Sequence, residues 1–170
     1  MKTFTEIKAM YPYQFEGKNI GLSIANGWLP GFAKLCRDID TRLGKNKRDF
    51  HWVQLKEKFG SARYYWAMNN LKMPVVVDII TPGGVAKYAN KPKMKGNNKT
   101  MDKTEDKELV DELNILISEA SDRTLESCIV CGENGKPDNL DYYTLVLCIE
   151  HKRARHAGEE LDIWPSESEE

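Results

Sequence analysis

The chain has 170 residues, of which 41% are apolar, 30% charged and 9% aromatic, a composition typical of globular proteins rather than disordered or fibrous ones. Its 25 Lys and Arg residues nearly balance 26 Asp and Glu residues, and the formal net charge is −1, so the whole chain has no basic field for DNA or for an anionic membrane. No apolar run approaches the roughly 18 residues of a membrane span, and the N-terminus lacks the apolar core of a secretory signal. We therefore expect a cytoplasmic protein with an ordinary core.

Two elements are predicted in the first third of the chain. Residues 1–30 are expected to form an irregular, aromatic-rich arm, in which Gly27 and Pro30 punctuate the entry to a helix. A helix is predicted from Gly31 to Gly44, because apolar residues recur there with helical spacing; they are Phe32, Leu35, Cys36, Ile39 and Leu43. Cys36 lies on this stripe, so we expect a buried thiol rather than a metal ligand.

A hairpin is predicted next, with strands at Phe50–Lys58 and Ala62–Met68 around Gly60. Lys56, Lys58 and Arg63 give one face of it a basic character with interleaved aromatic residues. Such a face could bind nucleic acid, although half-buried strands commonly carry solvated cations at their rims, and we favour that second interpretation.

The segment 69–101 differs in composition. A short strand is predicted at Val75–Ile80, and the remainder is predicted to be a mobile loop rich in Asn, Gly and lysine. The lysines are Lys87, Lys91, Lys93, Lys95 and Lys99. Such a loop could contact phosphates or an acidic protein surface, or it could only keep the segment soluble.

A long helix is predicted from Asp102, which forms a capping-box pattern with Glu105, to about Arg123, and it should cover the sheet. Residues 157–170 are acidic and are expected to be a solvated tail, with Trp164 as its one candidate anchor. The sequence therefore predicts an α+β fold in which a small antiparallel sheet packs with two helices in residues 1–125. A zinc ribbon at 126–156 and the tail follow.

The strongest motif consists of the pairs Cys128-x-x-Cys131 and Cys148-x-x-His151, with the spacing of a zinc ribbon. Three thiolates and one imidazole can close a tetrahedron around Zn²⁺, and Tyr142–Leu147 is predicted as the strand that delivers Cys148. His156 is a second-choice fourth ligand. A closed set of four ligands leaves no position for water, so the sequence predicts a structural zinc ion.

Enzymatic interpretations find little support in the residues. A ββα-metal nuclease would need a general-base histidine between Cys131 and Cys148, and none occurs there. A nuclease core built on Gln54 and Lys56 would need a carboxylate from Asp38, Asp40 or Asp49, which are poorly placed for one shared cation. No catalytic triad or nucleotide-binding glycine motif is found.

Several landmarks together resemble a family of small, mostly uncharacterised bacteriophage and prophage proteins. They are Gly27-Trp28, Leu35-Cys36, the run Lys56-Glu57-Lys58-Phe59-Gly60 with Arg63-Tyr64-Tyr65, and the C-terminal cysteine pairs. The resemblance implies a phage origin and action in the cytoplasm of a bacterial host, and it supplies no catalytic residue. By analogy, small phage proteins without enzymatic motifs often inhibit host machinery or defence, and anti-CRISPR proteins are among them.

The leading hypothesis is therefore a non-enzymatic, zinc-stabilised protein that binds a host or defence protein complex and inhibits or modulates it. The hairpin bases and the lysines of segment 69–101 are its candidate contact residues. The first alternative is a nucleic-acid-binding regulator that uses the hairpin with Lys152, Arg153 and Arg155. The second is a metal-dependent nuclease.

Overall fold

The computed structural model describes residues 3–68, 76–81, 84–89 and 103–165. Its four α-helices are α1 (Phe4–Met10), α2 (Leu29–Leu43), α3 (Lys103–Arg123) and α4 (Ile149–His156). Its strands are β1 (His51–Lys58), β2 (Ser61–Ala67), β3 (Val76–Thr81), β4 (Gly84–Ala89), β5 (Lys136–Leu140) and β6 (Tyr143–Leu147). The α+β class is confirmed. The described strands pair as three antiparallel hairpins, β1–β2, β3–β4 and β5–β6, rather than as one small sheet.

The core forms between α2 and the β1–β2 hairpin, as the hydrophobic spacing predicts. Every member of the α2 stripe is at most 5% exposed, and Gly44 ends the helix with φ of 60°. The inward face of β2 carries Ala62, Tyr64 and Trp66, and all three are buried. Cys36 is fully buried, and this burial raises the pKa of its thiol, so the expectation of a buried structural cysteine is confirmed.

Helix α3 lies across this core. Leu113 and Ile117 are buried in the common hydrophobic cluster. At its end, Thr124 donates through Oγ1 to Ser121 O at 2.6 Å and accepts from Ala62 N at 2.9 Å. The Ser121 hydroxyl donates to Ala62 O at 2.7 Å. These bonds satisfy the N–H and the C=O of Ala62 at the outer edge of β2, and α3 covers the hairpin as expected. Asp102 lies outside the described residues.

Two regions differ from the sequence-based expectations. The N-terminal segment is not simply irregular, because Thr3 and Glu6 form a reciprocal capping box that begins α1. The segment 69–101 is not a loop throughout, because β3 and β4 pair within it and Lys87 belongs to β4. The other lysines singled out there, Lys91, Lys93, Lys95 and Lys99, lie outside the described residues. Within the described part of the chain, no helix combines the length and the apolar character of a membrane span.

Candidate metal centre

Four ligand-type side chains converge where the loop after α3 meets the start of α4. They are Cys128, Cys131, Cys148 and His151, and their ligand atoms all lie within 4.8 Å of one another. Cys128 and Cys148 are buried, whereas the other two are half-buried. The cysteines are free thiols, so the cluster is a candidate metal site rather than a disulfide. Among the described residues, no second group of three or more Cys, His, Asp or Glu side chains converges in this way.

Two of the distances within the cluster match the edges of a tetrahedral site, and a third is shorter. Bonds of about 2.3 Å to sulfur and about 2.0–2.1 Å to nitrogen give tetrahedron edges of about 3.8 Å between sulfurs and about 3.5 Å from sulfur to nitrogen. Cys131 Sγ lies 3.8 Å from Cys148 Sγ, and Cys128 Sγ lies 3.5 Å from His151 Nδ1. Cys148 Sγ is closer to the same Nδ1, at 3.0 Å. The residues present therefore fit a four-coordinate metal bound through Nδ1.

The local electrostatics also favour a bound cation. Burial alone would raise the pKa of Cys128, but hydrogen bonds from the backbone N–H groups of Cys148, Cys131 and Val130 hold it below the ordinary value of 9.0. Burial raises the pKa of Cys131 to about 12, and the adjacent Cys128 adds to the increase. The amide groups thus favour one thiolate, and a divalent cation would supply the charge that stabilises the others.

The backbone around the first cysteine pair forms a tight knuckle. Gly132 N donates to Cys128 O at 2.8 Å, and Cys128 N donates to Glu133 O at 2.7 Å. Gly132 has φ of 81°, a conformation that favours glycine. The second pair lies at the junction of β6 and α4, where Cys148 is the N-cap residue of α4. The strand that the sequence predicts before Cys148 is confirmed as β6.

The knuckle is attached to the core through close contact between two glycines. A Cβ on Gly27 would lie 2.1 Å from Cys128 O, and a Cβ on Gly132 would lie 2.5 Å from Gly27 O. The buried indole of Trp28 donates through Nε1 to Ser127 O at 3.2 Å. Gly27 therefore does more than punctuate the entry to a helix, because only glycine permits this approach of two backbones.

A second attachment joins the β1–β2 turn to β6. Glu57 accepts from Gly60 N at 2.7 Å through Oε1 and from the Tyr143 hydroxyl at 2.8 Å through Oε2. Gly60 has φ of 78°, and a Cβ there would lie 3.2 Å from Val146 N. Glu57 and Gly60 therefore have a structural role, because they close the β1–β2 turn and hold it against β6, the strand that precedes Cys148.

A buried carboxylate fixes α4, the helix that carries His151. Asp138 is 3% exposed and lies 3.0 Å from Lys152 Nζ, 3.1 Å from Arg155 and 3.1 Å from His156 Nε2. Burial would raise the pKa of Asp138, but Lys152 and His156 outweigh it and hold the pKa below 3.8. Arg155 also donates to three backbone carbonyls of the β5–β6 hairpin, those of Asp138, Leu140 and Tyr143. His156 is engaged in this clamp, so the cluster contains His151 rather than the second-choice ligand. No local sequence signal indicates the clamp.

The bases of the first hairpin lie on one face of it. Lys56 and Arg63 are directly opposite one another. Lys56 Nζ lies 5.1 Å above the Tyr65 ring and Lys58 Nζ lies 5.4 Å above the Phe59 ring. Arg63 donates to a neighbouring serine hydroxyl at 2.7 Å. The C-terminal bases are arranged differently. Two of the three, Lys152 and Arg155, contact the buried carboxylate of Asp138.

Two of the three carboxylates considered for a nuclease core, Asp38 and Asp40, are engaged elsewhere. Asp38 pairs with Lys34 within α2. Asp40 lies 2.6 Å from Lys47 Nζ and accepts from the Tyr13 hydroxyl at 3.0 Å. The structure thus pairs each of these two groups with a lysine.

The acidic tail is partly docked rather than fully solvated. Asn26 N donates to Ile163 O at 2.8 Å, and Asn26 Nδ2 donates to Asp162 O at 3.1 Å. Leu161 and Ile163 pack against the hydrophobic core. Trp164, the anchor that the sequence suggests, remains 42% exposed.

Comparison of the chain with protein-family models, with curated proteins and with solved structures yields no significant match.

Proposed function

We propose that this chain is a zinc-stabilised, non-enzymatic phage accessory protein that binds a host macromolecular complex and inhibits or modulates it, with a defence complex such as CRISPR–Cas as the favoured target. The observation that carries the proposal is the convergence of Cys128, Cys131, Cys148 and His151. In a zinc ribbon, three thiolates and one imidazole fill all four positions, so the ion is structural and its binding energy contributes to folding.

The residue-level roles support a binding protein rather than an enzyme. Gly27, Glu57 and Gly60 belong to the landmarks of the phage-family resemblance, and they attach the metal segment to the core. The phage origin rests on that resemblance. Lys58 and Phe59, which belong to the same landmarks, contact one another at 5.4 Å, and the Phe59 ring is 53% exposed, so we assign these two residues to the binding of a partner.

The second candidate function is a nucleic-acid-binding regulator. It is favoured by the basic face of the first hairpin, where Lys56 and Arg63 lie opposite one another beside Tyr65. Cations with adjacent aromatic rings are typical of single-strand binding surfaces. The engagement of Lys152 and Arg155 by Asp138 weighs against it, because those bases are no longer available for phosphates.

Metal analysis combined with affinity purification from a bacterial lysate, with and without nuclease treatment, tests the proposal. We expect one zinc ion per chain and a discrete protein complex that survives nuclease. Recovery of nucleic acid alone, with a steep salt dependence, would favour the regulator instead. Magnesium-dependent cleavage of DNA that is lost in Lys56→Ala would contradict a non-enzymatic role.

A further inference from the structure

Two hairpins of the structure end in turns of an unusual sequence. The β1–β2 turn has positive φ at both central residues, Phe59 (54°) and Gly60 (78°), and the β5–β6 turn has it at Asp141 (52°) and Tyr142 (64°). Two-residue turns with positive φ at both positions strongly prefer Asn-Gly, Asp-Gly or Gly-Gly. A bulky aromatic residue in this left-handed region is strained by contact between its Cβ and the backbone.

Neither aromatic ring is part of the hydrophobic core. Phe59 is 53% exposed and Tyr142 is 104% exposed, so neither ring is buried in the core. Strained residues of this kind persist where the side chain serves another purpose, commonly the binding of a ligand. The combination of backbone strain and solvent exposure at both turns therefore indicates a function for the rings themselves.

The two hairpins are joined near these turns. The Tyr143 hydroxyl donates to Glu57 at 2.8 Å, and Gly60 packs against the backbone of β6. Tyr143 is itself 50% exposed. Phe59, Tyr142 and Tyr143 are thus exposed aromatic residues at the turn ends of two hairpins that contact one another, and we call these three residues the turn surface.

We propose that the turn surface is the docking surface through which this chain binds a protein partner; the inference rests on the proposed function and names its contact residues. Exposed tyrosine and phenylalanine are characteristic anchors of protein interfaces, where their rings enter apolar pockets. Lys56 and Lys58 form no ion pair with any described residue, so they complement carboxylates. The partner is therefore a protein with an apolar pocket bordered by Asp or Glu side chains.

A nucleic acid fits the turn surface less well. Glu57 contacts Tyr143 directly, and Asp141 precedes Tyr142 in the exposed turn. Two carboxylates beside the rings would repel phosphates that a stacked base brings close. A protein partner can place its Asp and Glu side chains opposite Lys56 and Lys58 and away from Glu57 and Asp141, whereas a nucleic acid carries a phosphate at every nucleotide.

Two substitutions separate a binding role from a structural one. Phe59→Asn and Tyr142→Gly introduce residues that the turn conformation prefers, so each should leave the melting temperature unchanged or raise it by about 1–4 °C. Both should reduce retention of the partner at least tenfold. Ile20→Ser is the matched control, because Ile20 is 71% exposed and lies outside both turns, and it should bind as the wild type does.

The experiment uses zinc-loaded full-length protein on a nuclease-treated bacterial lysate, with the photocrosslinker p-benzoylphenylalanine placed at position 142 or 20. Crosslinking of one protein from position 142 only, together with its loss in Phe59→Asn, would support the proposal. If both turn variants retain the partner as well as the wild type does, the turn surface is not the docking surface, and the proposed function is unaffected. Absence of any complex with the wild type would overturn both.

Two further outcomes would contradict the docking role. A fall in melting temperature for both turn variants would show that the rings serve the fold. Binding of a fluorescent single-stranded oligonucleotide, dT20, that weakens tenfold in both variants would show that the turn surface recognises nucleic acid.

Discussion

At the scale of single residues, the contact between Gly27 and the metal knuckle gives the sharpest prediction. Gly27→Ala would place a Cβ 2.1 Å from Cys128 O, and backbone atoms cannot move aside as a flexible side chain can. We expect a loss of about 3 kcal/mol in the free energy of unfolding. Gly31→Ala is the control, because a Cβ there meets nothing within 4 Å in a helix, and it should be neutral or stabilising by up to about 1 kcal/mol. Urea denaturation of the zinc-loaded variants measures both free energies of unfolding. Equal values for Gly27→Ala and Gly31→Ala would contradict the close contact at Gly27.

A second prediction at this scale concerns the buried carboxylate. Asp138→Asn removes the charge that holds Lys152, Arg155 and His156. We expect it to cost about 1–3 kcal/mol, because the largely buried Arg155 loses its carboxylate and keeps only backbone carbonyls as partners. The pKa of Asp138 lies below 3.8 in the folded chain, so its contribution is present at neutral pH and is lost as the pH falls below about 4. The exposed Asp141→Asn should change stability by less than about 0.5 kcal/mol. Thermal melts of the two variants at pH 7 compare them, and indistinguishable melting temperatures would argue against the clamp.

At the scale of elements, the docking of the tail can be tested directly. Ile163→Ser removes an apolar contact with the core from the segment whose backbone bonds Asn26. We expect a loss of about 1–2 kcal/mol on chemical denaturation. Glu160→Ser, in an exposed part of the same segment, should have no measurable effect. A stability of Ile163→Ser equal to that of the control would mean that the tail does not contribute to the core.

Elements with a strong hydrophobic period were predictable from the sequence. Helix α2, the β1–β2 hairpin and β6 were predicted to within a few residues, because their apolar spacing is determined by the face that each buries. Helix α1 was missed although Thr3 and Glu6 carry the capping-box signal, because the aromatic and proline residues that follow suggested irregular structure. Strand β4 was missed because Lys87 precedes a polar stretch rich in Asn and Gly, and this composition suggested one continuous loop.

The candidate site likewise has one part that could be predicted from the sequence and one part that could not. Its four ligands were predictable, because a spacer of two residues directs both side chains of each pair to one centre. The attachment of the site to the core was not, because the contact of Gly27 with Gly132 and the charge contacts of Asp138 join residues distant in sequence. Neither arrangement leaves a local pattern.

At the scale of the whole molecule, the metal centre belongs to the same hydrophobic core as α2 and the first hairpin. Cys128, Ile129, Leu145, Leu147 and Cys148 are buried in one cluster with Phe32, Trp52 and Trp66. Because two of the four candidate ligands, Cys128 and Cys148, lie within this cluster, metal binding should stabilise the core as well as the C-terminal segment. If the bound metal is the zinc ion that we propose, its removal should destabilise the whole described fold.

The most direct test of this claim is a thermal melt followed by near-ultraviolet circular dichroism, before and after removal of the metal with a chelator. We predict that removal of one zinc ion per chain lowers the melting temperature by at least about 10 °C. The signal of the buried tryptophans Trp28, Trp52 and Trp66 should decrease at the same time, and both should return when zinc is added. A metal-free chain that keeps its melting temperature and its tryptophan signal would contradict the account.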